Sequence, residues 1–535
     1  MIGARSEAAR SPILFGETSE GMLVWMRNWL KRHRSDARAS GNPFARDTQP
    51  RKLRVLLHLS GSPRSSLAMS MAGGLEGCEA LDVWSTRRGG IRRVQVEWNA
   101  TSRGDGVVVS EEHNEKEDRH AISHVPLHGF VARQRDVWLG WMPDLRNGPL
   151  DELDEWMALD YFCSVKSIDL VVTDSPFILS LRPRGFAREV VPPREAVACT
   201  GLYRRSRGDF AWVCERRSSV TDGRSGFYRA VSAAVLPNCI RLLRVLPRPT
   251  DFEEPAPWAF AQAIVLRGDH ALRARDAVHW ALLGDDAPSG MWSDNRLEGL
   301  ADAVFSLEAF LLSLVGAFDA AAQLANEVYR LRVHGSAVSW RSDQKNGLMA
   351  ELRARRADVA KLMTAQQPAR DVLEILAGLR NTIHGIPLTE VHFKDRDADV
   401  EELVLAVSEP TGRRVAAAMT RLGGLPAFGA RSLPVGPTRH GVLAVEPQAF
   451  VEGVLPLALG QLDRIVGTFD VSAFGTGGDG RVLSTGRPGT RPLADARARM
   501  LLLAGLGGEQ TPSPESATAA RSDEAGRPAN GKELR

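Results

Sequence analysis

Arg380 and His384 are the residues whose types and spacing most directly suggest chemistry. Side chains four residues apart lie on one side of a helix, so both can face the same ligand. A guanidinium grips phosphate oxygens with a fork of N–H donors, and an imidazole exchanges protons near neutral pH. The pair therefore predicts a site that holds a phosphate and moves a proton without a metal ion.

The helix that must carry this pair is predicted over residues 369–384, with a proline before its start and a glycine after its end. Its apolar residues form one stripe. Arg380 and His384 flank that stripe, and Asn381 lies farther round. A flank is where a cleft or a subunit contact forms. The alternative is that both side chains only bond the last-turn carbonyls of their own helix.

A polar stripe runs along the long helical pattern that precedes this segment. Glu308, Asp319 and Asn326 return to nearly one face, with Gln323 and Arg330 beside them. Polar groups in an otherwise apolar helix need partners, because burying them unpaired is costly. The stripe predicts a cleft shared with the arginine and histidine of the neighbouring helix. The alternative is an ordinary solvated face.

With these residues in place, the arrangement resembles the HEPN superfamily (higher eukaryotes and prokaryotes nucleotide-binding), whose small helical bundles often carry an Arg-Asn…His motif. The resemblance covers about residues 293–468. It implies that Arg380 stabilises the phosphorane of RNA cleavage, that His384 handles the proton of the 2′-hydroxyl or the leaving oxygen, and that Asn381 orients the site. An upstream acidic residue accompanies the motif in that family, and Asp319 is the candidate here.

The resemblance also implies a function. Members with this pattern are frequently metal-independent ribonucleases of toxin–antitoxin, abortive-infection and other defence systems. It therefore implies RNA cleavage without a cofactor or metal, a homodimer that brings two Arg/His pairs together, and an antitoxin or sensor partner. The alternative is a non-catalytic HEPN-like bundle that dimerises, binds a nucleotide or mediates an interaction.

The fold class predicted from the whole sequence is α+β. A weakly ordered basic arm is predicted over residues 1–50 and a mixed α/β domain of unknown role over 51–290. A HEPN-like helical bundle over 293–468 follows, with a small β insertion at about 389–446. After residue 472 the chain is rich in Gly, Ser, Thr, Pro and Arg, which predicts a disordered tail over 472–535. Within it, an apolar patch at residues 500–506 predicts a transient helix.

The local patterns behind this division are β-branched or alternating runs near the N-terminus and longer helical patterns after them. The strand patterns lie at residues 53–59, 94–98, 107–109, 168–173 and 210–214. The helical patterns lie at residues 227–246, 258–283 (with a possible break at Gly268), 297–331, 342–363, 369–384 and 450–469. Long helices with short connections predict a bundle.

The charge balance narrows the choice of partners. There are 68 Lys+Arg and 65 Asp+Glu, which leaves a formal charge of +3. That is too small for nucleic-acid binding by bulk electrostatics, so any such contact needs a local basic patch.

The five cysteines indicate the compartment. They are Cys78, Cys163, Cys199, Cys214 and Cys239, an odd and scattered set without a C-x-x-C pair. This pattern argues against a disulfide framework or a structural zinc site and favours the reducing cytoplasm.

The most apolar run, residues 303–322, raises the question of a membrane span. It contains Glu308 and Asp319, and a charged residue such as Asp costs about 2.5 kcal/mol or more at mid-bilayer. We therefore expect a buried helix of a bundle and no membrane span.

Two weaker patterns offer other sites. Residues 53–66 read as a strand and a Ser/Gly turn, weakly similar to the phosphate loop of flavodoxin-like FMN reductases; the alternative is a plain strand-to-loop exit. His113, His120, His124 and His128 lie close in sequence, and two of them have metal-binding helical spacing. Because Pro126 ends any such helix, a solvated loop is favoured.

Overall fold

A computed structural model gives the architecture of the chain. It describes residues 43–44, 51–60, 66–86, 92–101, 104–113, 122–126, 150–181, 190–210, 212–213, 219–220, 223–248, 257–283, 294–341, 344–383, 389–395, 400–407, 409–435, 439–471 and 491–506. The described part is mixed α and β, as the sequence predicts. It contains a parallel-centred sheet, a helical region and a small antiparallel sheet.

The N-terminal sheet has seven strands in the order β5-β4-β3-β2-β1-β6-β7. The strands are β1 (Leu53–His58), β2 (Leu81–Ser85), β3 (Arg92–Thr101), β4 (Gly104–His113), β5 (Ile122–Pro126), β6 (Leu170–Thr173) and β7 (Val190–Val191). Strands β3, β2, β1, β6 and β7 pair in parallel, and β4 and β5 extend the sheet antiparallel. The parallel part makes this region α/β in character.

Helices cover both faces of this sheet. Helices α1 (Leu67–Gly73) and α4 (Pro193–Ser206) pack on the face of Val55 and Leu57, whereas α2 (Leu150–Lys166) and α3 (Pro176–Leu181) pack on the face of Leu56. Successive side chains of a strand point to opposite faces, so the nearly continuous apolar run of β1 is explained by burial on both. Burial on both faces also fixes the register of β1 between β2 and β6.

The helical region holds eight further helices that form the bundle. They are α5 (Gly223–Val235), α6 (Pro237–Val245), α7 (Pro257–Leu283), α8 (Asp294–Val328), α9 (Leu348–Arg355), α10 (Ala357–Leu362), α11 (Pro368–Ile383) and α13 (Pro447–Gly467). The most extensive packing joins α7 to α8, and α11 and α13 also lie against α8. This confirms a helical bundle around the long apolar helix.

The first helices of the bundle come from a part of the chain that the sequence assigns to the N-terminal domain. Residues of α5, α6 and α7 share one continuous hydrophobic core with α8, α11 and α13. The structure therefore differs from the predicted boundary near residue 290. The sheet domain ends with α4, and the bundle begins by Phe210, whose ring packs on Phe227 and Tyr228. Two short antiparallel strands, β8 (Trp212–Val213) and β9 (Ser219–Val220), follow this point.

The β insertion lies where the sequence predicts it. Its strands β10 (Thr389–Asp395), β11 (Val400–Val407), β12 (Ala430–Val435) and β13 (Arg439–Val445) form an antiparallel sheet in the order β10-β11-β13-β12. The insertion also contains α12 (Thr411–Arg421), which packs on α11. Arg421 donates to both oxygens of buried Asp371 at the start of α11, with its shortest bond 2.6 Å long. This ion pair holds α11 in place.

The predicted disordered tail contains an ordered helix, α14 (Arg491–Leu503). Leu502 and Leu503 join the core under the sheet, whereas Met500, Ala504 and Leu506 join the core of the bundle. The prediction of disorder is thus corrected for residues 491–506. Burial of apolar side chains in both cores orders this segment despite its polar surroundings in sequence.

The arm preceding the sheet is described at residues 43–44 only. There Phe44 is buried, and its ring meets Tyr203 of α4 edge to face with centroids 5.4 Å apart. The rest of residues 1–50 and the tail outside 491–506 lie outside the described residues, so their predicted disorder stays a prediction.

A buried charge network joins the two parts of the molecule. The Asp276 carboxylate of α7 accepts from Arg205 Nε at 2.6 Å, from the Tyr228 hydroxyl at 2.7 Å and from Arg275 Nη2 at 2.7 Å. Arg275 Nε also lies 3.5 Å from Glu452 of α13. All these charged groups are almost fully buried, so each depends on its partners to replace lost hydration.

One described helix is long and apolar enough to cross a membrane, over residues Ala301–Val328. Half of its most apolar window is buried inside the protein, as in the core helix of a bundle. Within the described residues, no strong membrane span is therefore indicated.

Candidate anion-binding site

Asp319 of α8 lies at the centre of the candidate site. Three guanidinium groups act electrostatically on its carboxyl, those of Arg380, Arg267 and Arg341. These three arginines come from α11, α7 and the segment after α8, so they are brought near Asp319 by the tertiary fold. The positive charge of these three groups around Asp319 favours an anionic ligand.

Asp319 responds to its surroundings in two opposed ways. The neighbouring protein raises the pKa of its carboxyl by desolvation, and Arg380, Arg267 and Arg341 partly offset that rise. The side chain still keeps contact with solvent. We therefore expect the interaction of the three arginines with Asp319 to add little stability and to act mainly on the charge of the site.

Arg380 sits in the last turn of α11 and is half-buried. Its Nη1 donates to Asn381 Oδ1 at 3.3 Å, and its Nε is buried without a hydrogen-bond partner among the described atoms. Among the described residues, no bond joins the Arg380 guanidinium to a carbonyl of its own helix. A buried N–H donor without a partner is costly unless a ligand or water accepts from it.

Arg341 is placed by its neighbour Trp340. The Trp340 indole is buried and donates from Nε1 to the carbonyl of Phe318 at 2.8 Å, next to Asp319 in the chain. Arg370 of α11 donates to the Trp340 carbonyl at 2.6 Å. These bonds fix residue 340 between α8 and α11, and the charge of Arg341, the next residue, acts on Asp319.

Arg267 reaches the site because α8 has a glycine at the crossing. A Cβ atom built at Gly316 would collide with the guanidinium of Arg267, whereas the glycine leaves that space free. Since Asp319 follows Gly316 by three residues, the same close approach delivers the Arg267 charge to Asp319.

The residues predicted from the sequence meet only in part. Arg380 contacts Asn381, and its charge acts on the carboxyl of Asp319. His384 lies outside the described residues, so its place beside Arg380 stays a prediction. Asn326, a member of the predicted polar stripe, is buried and bonds the backbone of Val333 instead of Arg380.

Two residues of the site were missed by the sequence reasoning. Arg267 lies in the middle of α7 and Arg341 in a connecting segment, and neither is part of a motif. The only sequence signal was Gly316 within an otherwise continuous helical pattern, which can indicate close packing of a neighbouring element.

A second polar cluster lies at the carboxyl ends of β1 and β6, where the order of the parallel strands reverses and α/β proteins usually bind ligands. Ser60 donates to Asp174 Oδ1 from its backbone nitrogen at 2.7 Å and from its hydroxyl at 3.1 Å. Burial lowers the pKa of His58, and Glu155, Asp174 and Glu152 partly offset it. These acids disfavour a phosphate at the described part of this edge.

The other predicted site patterns fall partly outside the described residues. Residues 61–65 of the suggested phosphate loop are among them, so that hypothesis stays a prediction. Of the clustered histidines, His113 ends β4 and His124 lies in β5, where helical spacing does not apply. In the described ranges, no group of three or more His, Cys, Asp or Glu residues is arranged to hold a metal ion.

No protein-family model matches the sequence, and neither the curated proteins nor the solved structures contain a significant match to the chain.

Proposed function

We propose that the helical bundle binds RNA through its phosphate backbone at the cluster of Arg267, Arg341 and Arg380 around Asp319. The observation that carries the proposal is that three guanidinium groups from three separate elements lie within electrostatic range of one carboxylate, with Arg267 packed against Gly316 one turn away. Arginine binds phosphate oxygens bidentately and keeps its charge at any physiological pH. A local patch of this kind is what a chain with a net charge of only +3 needs to bind a polyanion.

We further propose that the bound RNA is cleaved without a metal. In this mechanism the 2′-hydroxyl oxygen attacks the adjacent phosphorus and the bond to the 5′-oxygen of the next nucleotide breaks. His384 takes the proton of the 2′-hydroxyl or supplies one to the leaving oxygen. Arg380 neutralises the charge that accumulates on the phosphorane. The HEPN resemblance and the unpartnered Nε of Arg380 support this step.

The biological setting proposed is a cytoplasmic defence or toxin-type system, with the protein acting as a homodimer under an antitoxin or sensor partner. Of the described cysteines, Cys78 and Cys239 are free thiols, in keeping with a reducing compartment. The rival function is non-catalytic: the same basic face then binds a nucleotide or a partner protein without turnover.

We predict that substitution of the arginines weakens RNA binding. Each of Arg380→Ala, Arg341→Ala and Arg267→Ala removes a charge-assisted hydrogen bond of about 1.5–3 kcal/mol, so affinity for a short single-stranded RNA falls roughly 10–100-fold. Asp319→Asn moves affinity the other way, because it removes the one negative charge of the cluster. Fluorescence anisotropy at several salt concentrations measures both effects, and the salt slope decreases by about 0.7 for each phosphate that is no longer neutralised.

The matched control is Arg464→Ala, an exposed arginine of α13 outside the cluster. It should bind RNA like the wild type. If the three cluster variants bind as Arg464→Ala does while remaining folded, RNA binding at this site is rejected.

We predict that His384→Ala separates cleavage from binding. The variant should lose at least about 100-fold in cleavage rate, the usual contribution of a general acid or base, and keep wild-type RNA affinity. Wild-type activity should survive EDTA. Gel analysis of a labelled RNA measures both its cleavage and its binding. Equal cleavage by wild type and variant, or no cleavage by either, would favour the non-catalytic rival.

A further inference from the structure

A depression of about 420 Å³ lies where α8 ends. Its polar lining includes Gln323, Asn326 and Glu327 of α8 and Arg330, Arg332 and His334 of the segment that follows. Arg330, Arg332 and His334 are exposed at its surface. A cleft of this size falls within the range of small-molecule sites in proteins.

The backbone of this segment adopts a conformation that side chains other than glycine rarely take. Arg330 has φ of 49° and Arg332 has φ of 58°, both in the left-handed region. A left-handed backbone at a bulky residue is unfavourable, and such residues persist where surrounding structure enforces them. The two arginines alternate with Leu331 and Val333, which are buried in the bundle core. Burial of these neighbours directs both arginines outward.

Asn326 holds the segment in this shape. Its Oδ1 accepts from the Val333 backbone nitrogen at 3.1 Å, and its Nδ2 donates to the Val333 carbonyl at 3.2 Å. The side chain is buried, so these bonds replace hydration that it has given up. Asn326 thereby closes the segment back onto α8 and fixes the floor of the depression.

The lining has the chemistry of a phosphate site with a neighbouring hydroxyl acceptor. Within the described residues, the Arg330 and Arg332 guanidinium groups form no ion pair. A phosphate monoester carries a charge of about −1.5 to −2 at neutral pH and offers three oxygens to such donors. Glu327, on the same rim, can accept from a hydroxyl, as acidic residues do with ribose.

We infer that this depression binds the phosphate monoester of a nucleotide. Arg330 and Arg332 hold the phosphate, His334 adds a ring nitrogen beside it, and Glu327 accepts from a ribose hydroxyl. The monoester has two sources of the same chemistry: a free mononucleotide, or the phosphorylated end of an RNA strand. The second source rests on the proposed RNA binding and the first does not.

The geometry allows an RNA end to reach this site from the arginine cluster. Asp319 and Asn326, which lines the depression, are seven residues apart in α8, which places them on nearly the same face of the helix and about 10 Å apart along its axis. A strand bound at the cluster can therefore extend along α8 and end in the depression. A free mononucleotide needs only the depression.

Isothermal titration of the full chain with AMP, with adenosine and with inorganic phosphate tests the site. We expect AMP to bind at least tenfold more tightly than adenosine. Arg330→Gln combined with Arg332→Gln should weaken AMP binding at least tenfold, whereas Arg464→Gln, on α13 and outside the lining, should leave it unchanged. Equal binding of AMP and adenosine, or wild-type AMP affinity in the double variant, overturns the proposal.

Arg332→Gly keeps the test independent of misfolding. Glycine adopts positive φ without penalty, so this variant should match or exceed the wild-type melting temperature while losing AMP affinity. Unchanged AMP affinity in Arg332→Gly would show that the strained arginine serves no ligand and would overturn its role.

Two RNA oligonucleotides with and without a 5′-phosphate distinguish the sources. If the wild type prefers the phosphorylated strand and the Arg330/Arg332 double variant does not, the ligand of the depression is the RNA end. If the wild type binds AMP but shows no such preference, the ligand is the free nucleotide. The Arg380→Ala, Arg341→Ala and Arg267→Ala variants should keep AMP affinity. Failure of RNA binding at the cluster is thus separable from failure of this site.

Discussion

Asp276→Ala is expected to lower the free energy of unfolding by about 3–5 kcal/mol, the usual cost of removing one partner from a buried ion pair. Asp276 is completely buried and accepts hydrogen bonds from Arg205, Arg275 and Tyr228. Its removal leaves two buried guanidinium groups without their main counter-charge. Urea denaturation followed by tryptophan fluorescence measures the loss.

A matched control is Asp358→Ala, which breaks the exposed ion pair between Asp358 and Arg356. Exposed pairs contribute about 0–1 kcal/mol, so this variant should unfold close to the wild type. Equal unfolding of the two aspartate variants would contradict the role given to the network.

The same network makes a prediction for acid stability. Burial alone would raise the pKa of Asp276, but the charges of Arg205 and Arg275 outweigh it and hold that pKa well below its ordinary range. A depressed carboxyl pKa contributes stability that is present above the unfolded pKa of about 3.9 and is lost as pH falls through the folded value. The stability difference between wild type and Asp276→Ala should therefore shrink below about pH 4.

The second large effect is expected from Gly201→Ala. Gly201 lies in α4, and a Cβ atom there would collide with the backbone carbonyl oxygen of Leu503 in α14. Backbone cannot move aside as a side-chain end does, so α14 should leave its place. The bond from Arg205 to the Leu503 carbonyl, 2.5 Å long, would break with it.

Undocking of α14 should expose several apolar residues and destabilise the protein by a few kcal/mol, given about 1.5–3 kcal/mol for each fully buried large side chain. Hydrogen exchange should quicken at residues 491–506, and limited proteolysis should release the C-terminal segment. Gly460→Ala is the control, because a Cβ atom there meets nothing within 4 Å. That variant should be neutral or slightly stabilising. Wild-type protection in Gly201→Ala would contradict the packing described.

Much of the local structure could be predicted because local pattern decides it. The predicted strand at 53–59 is β1, and the helices predicted over 297–331 and 369–384 are α8 and α11 to within a few residues. Other helices needed finer cues. The pattern at 227–246 is divided at Pro237 into α5 and α6, since proline lacks the N–H that an unbroken helix requires.

Gly268 shows why a local pattern can mislead. The sequence suggests a break there, yet α7 runs continuously from Pro257 to Leu283. A Cβ atom at Gly268 would lie 2.5 Å from Ser232 Oγ of α5. The glycine therefore permits close packing of two helices, and only the tertiary partner reveals this. The domain boundary differs from the prediction for the same reason. The helical pattern of α7 does not indicate which hydrophobic core the helix joins.

The candidate site could be predicted only for its contiguous part. Arg380 and Asn381 belong to one motif, and Asp319 follows from the polar stripe of α8. Arg267 and Arg341 are brought in by the crossing at Gly316 and by the anchoring of Trp340. Those interactions join residues far apart in sequence. The local pattern of a single sequence does not show which distant residues are in contact.

The position of α14 has a consequence for how the molecule is made. Its residues complete the hydrophobic core under the sheet and the core of the bundle at once. At common synthesis rates roughly 15–60 s separate the emergence of α4 from that of residue 506. During this interval the nascent chain presents the uncovered flank of α4, with Gly201 and Arg205 open to solvent. Neither half should reach its final stability until α14 has emerged and packed into both cores.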